Sequence, residues 1–138
     1  YMGGEGENMK KSFKDFLSEQ MDKFNQYDDE KLNEMKRYFE KVMKLIISQL
    51  GKDAFAKYKV EDNKLKLQSH FNAAVYDAIS IAIADNLMQN ENFVITDEMK
   101  QKITELFFNP DFINSINGSP NDKSKILSRI SIVKGVLQ

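Results

Sequence analysis

The sequence predicts an all-α domain of about six helices: a long N-terminal helical hairpin, a central apolar helix and, at 58–67, room for one small β-hairpin. Three observations carry this. Apolar residues recur in steps of three and four along most of the chain, the period of a helix with one buried face. Two prolines, and few glycines beyond the first residues, leave long stretches uninterrupted. A hydrophobic share of 41% beside a charged share of 30% is the balance of a chain that folds around a core, and 138 residues suffice for one domain.

The opening stretch YMGGEGEN, residues 1–8, reads as a flexible or vector-derived leader, with a single helical domain over 9–138. A start on Tyr1 suggests a piece of a longer protein. The first helix places Phe13, Phe16, Leu17, Met21, Phe24 and Tyr27 on one stripe, with Lys10, Lys14, Glu19 and Lys23 outside it. Asp28 or Asp29 then caps a second helix, whose inward positions are Leu32, Met35, Tyr38, Phe39, Val42, Met43, Ile46, Ile47 and Leu50; Gly51 ends it. A short link between two long amphipathic helices predicts an antiparallel hairpin. Between Lys57 and Gln68 two readings stay open. Tyr58 and Val60, then Leu65 and Leu67, alternate with charged residues around Asp62-Asn63, as in a hairpin. Two strands alone are marginal, so an ordered loop is the other reading.

Ser69 is placed to cap the third helix, from Phe71 to about Gln89, with Phe71, Ala74, Val75, Ala78, Ile79, Ala82 and Ile83 on its main face. A helix this apolar is expected at the centre of a bundle. Thr96 or Asp97 opens a fourth, and Asn109 with Pro110 starts a compact fifth that Gly118 stops. The last helix carries Ile126, Leu127, Ile130, Val133 and Leu137.

Chemistry is scarce. The chain has no cysteine, so thiolate and disulfide chemistry are excluded and a cytoplasmic setting is the simpler expectation. No apolar run is long enough for a membrane span, and the start lacks the pattern of a secretory signal, so no membrane partner is expected. His70, the one histidine, lacks the companions of a zinc site or a general base and reads as solvent-facing. Asp28, Asp29 and Glu30 are explained by capping and the helix dipole. No phosphate loop, dinucleotide motif or nucleophile elbow occurs, so no catalytic residue, cofactor or metal is expected.

Two features remain. Asp77 sits on a narrow polar edge of the apolar third helix with Ser80, where it can receive a cationic side chain from another helix or a backbone N–H. Near the C-terminus Lys123, Lys125, Arg129 and Lys134 stand against Asp122, a row suited to phosphates through charge alone. A net charge of −1 gives the chain no global attraction to DNA, and the competing reading of that row is a solvated polar face.

Several segments, taken in order, resemble the C-terminal helical region of the bacterial GmrSD-type family: MKKSFKDFLSEQM, LGKDAFAKY, FNAAVYDAISIAIADNL, NPDFINSING and KILSRISIV. Within them Gly51, Asp53, Ala54 and Phe55, then Asn72, Ala74, Tyr76 and Asp77, then Phe112, Ile116 and Arg129 carry the likeness. The resemblance implies a modification-dependent restriction or phage-defence protein with a ParB/sulfiredoxin-like nucleotidase domain ahead of this region. Neither the Asp-Gly-Gln triplet of that domain nor the histidines of an accompanying His-Asn-His nuclease are present, so no catalytic residue carries over. What it implies here is a helical accessory domain that packs on the nucleotidase domain, contacts DNA or organises subunits, with Asp77 and Arg129 jointly important to structure. The alternative is a protein–protein interaction or oligomerisation module without a nucleic-acid role. An independent enzyme is the weakest reading.

Overall fold

The computed structural model describes residues 13–138; the leader at 1–8 and the start of the first helix lie outside the described residues. Six α-helices and one two-stranded antiparallel sheet follow in the order α1 (Phe13–Asn25), α2 (Asp29–Leu50), β1 (Lys57–Glu61), β2 (Lys64–Ser69), α3 (Ala73–Gln89), α4 (Asp97–Glu105), α5 (Pro110–Ile116) and α6 (Lys123–Val136), with a 3-10 turn over Leu106–Phe108.

The helix boundaries follow from local chemistry. Asp28 accepts from the Lys31 backbone N–H at 2.8 Å, so α2 begins with one of its orphan donors satisfied. Its C-terminus hands over to Gly51 at φ +79°, a left-handed conformation that a side chain resists. Thr96 caps α4 through the Met99 N–H, and Asn109 caps α5 with Pro110 in the first turn.

Residues 57–69 form a hairpin and not a loop. Asp62 and Asn63 both take positive φ, 51° and 59°, the two-residue turn whose twist matches paired strands. Val60 faces Leu65 and Tyr58 faces Leu67, so the four apolar side chains share one side of the ribbon. Tyr58 and Leu65 pack against the main core, and the Tyr58 ring meets Phe107 edge-on with centroids 5.2 Å apart. That contact with the helical body supplies what two strands lack by themselves.

The third helix starts later than its sequence pattern suggests, and Ser69 is not its cap. Ser69 ends β2 opposite Lys57, and the Asn72 N–H is held by the Phe55 carbonyl at 2.8 Å. The chain therefore stays extended to Asn72, whose side chain caps the helix through the Val75 N–H. Phe71 falls outside the apolar face and is 59% exposed. Within α3, Ala74, Val75, Ala78, Ile79, Ala82, Ile83 and Leu87 are buried, against α6 on one side and α2 on another.

Among the described residues the N-terminal helices are anchored mainly elsewhere than on each other. Among those residues, α1 and α2 are not an extensively packed pair. Phe16 leaves the expected pairing and forms a small cluster with Ile126 and Ile130 of α6, against Ile81 of α3. Meanwhile α2 turns Val42 and Ile46 into the main core. Anchored to different surfaces, the two helices leave their shared apolar stripes open.

Candidate interaction surface

The polar edge of α3 and the basic row of α6 meet each other. Arg129 is 1% exposed and reaches back between helices, with its Nη2 3.1 Å from Asp77 Oδ2. Its Nη1 donates to the carbonyls of Ser115, at 3.3 Å, and Pro120. One guanidinium thus joins α6 to α3, to the end of α5 and to the loop between α5 and α6, using the fork geometry that a lysine lacks. Two turns along α3, Asp85 takes Lys134 in the same way, closer to solvent. Burial raises the Asp77 carboxyl above the ordinary aspartate value, and the hydrogen bond and charge of Arg129 pull it back only in part.

This placement corrects one expectation. Arg129 is not on the surface and cannot meet a phosphate there: it is 1% exposed, its two terminal nitrogens are spent on Asp77 and two carbonyls, and its Nε is buried without a partner among the described residues. Of the other members of that row, Lys134 is held by Asp85, Lys125 Nζ donates to the Asn117 carbonyl at 2.7 Å, and Lys123 is half-buried. The row that the sequence aligns is largely folded into internal contacts.

His70 is exposed and lies 3.4 Å from Asp53, beside the edge-packed rings of Phe55, Phe71 and Tyr76. Burial raises the Tyr58 hydroxyl above its ordinary pKa, and Asp53 lies near enough for its carboxylate charge to raise it further. Among the described residues no group of three or more His, Cys, Asp or Glu could hold a metal ion, and no helix is long and apolar enough to cross a membrane.

What stands out is an open apolar surface. Leu17, Met21, Phe24 and Tyr27 of α1 and its exit, with Leu32 and Phe39 of α2, are six large side chains with at least a third of their area in water, Met21 at 66% and Phe39 at 50%. Phe39 also borders a groove between α2 and α3, walled by Tyr38, Val42, Ile81 and Ala84, with Asp77 and Ser80 along its α3 side. The Tyr38 hydroxyl spans the groove to donate to the Ala84 carbonyl, while the Ser80 hydroxyl is buried without a partner among the described residues.

No family model, curated protein or solved structure matches this chain.

The surface must therefore be judged on its own chemistry. Isolated exposed apolar residues are ordinary, whereas a contiguous apolar patch is the usual mark of a contact site. Sequence reasoning missed it by assigning both stripes to each other. A signal was present: α2 carries ten large apolar residues, more than the single face it buries in the core can accommodate.

Proposed function

We propose that this chain is a non-catalytic helical interaction module, built around α3 as its central apolar helix, that binds another protein surface through the open face of α1 and the first half of α2. The observation that carries it is the set of six exposed large apolar side chains on those two elements. The GmrSD-type resemblance supplies a fitting setting, an accessory domain of a bacterial, cytoplasmic restriction or phage-defence protein that packs on a nucleotidase domain or organises subunits. A DNA-contacting role is the weaker reading, since Arg129 and Lys134 are engaged internally.

Photo-crosslinking in the cell tests the proposal. A benzophenone amino acid at Met21 or Phe39 is expected to give a discrete adduct, whereas the same group at Asp62 in the hairpin turn gives none. Equal and diffuse labelling from all three positions sinks the reading.

A further inference from the structure

The end of α2, the loop after it, the hairpin, α3 and α4 meet around a pocket of about 340 Å³. Leu50, Leu65, Ile79, Ile103 and Phe107 give it apolar walls and an apolar floor, the last three being buried. The volume lies at the lower end of the range for small-ligand sites, about 300–1,000 Å³, so its occupant is small.

The polar groups of the pocket fall into two sets. Asp53 and Tyr58 form one, close enough for the carboxylate charge to act on the phenol, whose hydroxyl has no hydrogen-bond partner among the described residues. Gln49 and Lys100 form the other. The Gln49 side-chain oxygen accepts from the Ile95 N–H just ahead of α4, which holds Gln49 on the side of the pocket that Lys100 lines. The Gln49 Nε2 donates to no described residue. The two charged groups are only loosely engaged. Asp53 has His70 at 3.4 Å and Lys100 has Asp97 at 2.8 Å, both pairs exposed to water and therefore worth little, so a ligand can share either charge.

We propose that this pocket binds a free α-amino acid with a large apolar side chain. Its ammonium meets Asp53 and the Tyr58 hydroxyl, its carboxylate meets Lys100 and the Gln49 amide, and its side chain lies on Ile79, Ile103 and Phe107. A purely apolar ligand leaves both polar sets unmatched, and an ion of one sign satisfies one set while desolvating the other. A zwitterion matches both. The pocket shares no residue with the open face of α1 and α2, so the inference goes beyond the interaction-module reading and does not depend on it.

NMR titration of the isotope-labelled full chain tests it with four probes: L-phenylalanine, phenethylamine without the carboxylate, 3-phenylpropionate without the ammonium, and glycine without the ring. L-Phenylalanine is expected to shift the amides of the hairpin and α4 saturably. Each single-charge analogue should bind at least about tenfold more weakly, having lost one charged hydrogen-bond partner, and glycine should give no saturable shift. Asp53→Asn is expected to bring L-phenylalanine down to the affinity of 3-phenylpropionate, and Lys100→Met to bring it down to that of phenethylamine. Both substituted side chains are partly exposed, so the fold is expected to survive, with the spectrum of each variant as the check. No saturable shift from L-phenylalanine, analogues that bind as tightly as the amino acid, or variants that bind it as the parent does overturn the site.

Discussion

Arg129 and Lys134 lie five positions apart on one helix, each is paired with an aspartate of α3, and they should respond very differently to losing that partner. The Arg129 guanidinium is almost wholly buried, so removing Asp77 strands a charge that water cannot reach. Asp77→Ala is expected to cost about 3 kcal/mol in urea unfolding. Lys134 keeps a third of its side chain in water, so Asp85→Ala should cost less than about 1 kcal/mol. A further test is pH. Because burial raises the Asp77 carboxyl, the folded chain holds its proton at a higher pH than the unfolded chain does. Between the two values the folded state binds more protons, so this group's contribution falls as pH rises through that window, the reverse of an ordinary surface salt bridge. Glu61, Asp97 and Glu98 act oppositely, held low by hydrogen bonds from Lys59, Lys100 and Lys102. The informative quantity is therefore parent minus Asp77→Asn, measured from about pH 3.5 to 6. That difference should decline with rising pH; an increase would mean that Arg129 outweighs burial. Asp77's place on a polar edge was legible from the helical wheel. Which cation reaches it was not, since α6 offered four and only packing decides which one points inward.

Among the elements, the hairpin depends most on two backbone angles. Asn63 holds φ at +59°, where asparagine is tolerated and a β-branched side chain is not. Asn63→Val is expected to destabilise by about 1–2 kcal/mol and to open the β1–β2 amides in hydrogen exchange before those of α3. Strand alternation and a turn dipeptide were visible in the sequence, but they could not choose between hairpin and loop. The choice rests on Tyr58 and Leu65 finding Phe107 and the core, contacts supplied from nearly fifty residues away. The start of α3 shows the same limit in reverse. Ser69 and Asn72 are both competent caps, and only the bond from the Asn72 N–H to the Phe55 carbonyl selects the later one.

For the whole molecule, the internal contacts of α6 predict a null result that can be measured. Anisotropy titrations of labelled duplex DNA at low salt should differ less than about twofold between the parent and a variant carrying Lys123→Ala, Lys125→Ala and Lys134→Ala. A phosphate-contacting row would instead lose affinity steeply, with a shallower salt dependence. Helix existence, period and the caps of α2, α4 and α5 were legible in the sequence alone, because each depends on residues within a few positions of one another. The course of α1, the inward turn of Arg129 and the open face of α2 were decided only by the tertiary structure. A period of 3.6 states that a helix has an apolar face but is silent on which surface will cover it. Here α3 and α6 took Phe16, and the stripe left over stayed in water.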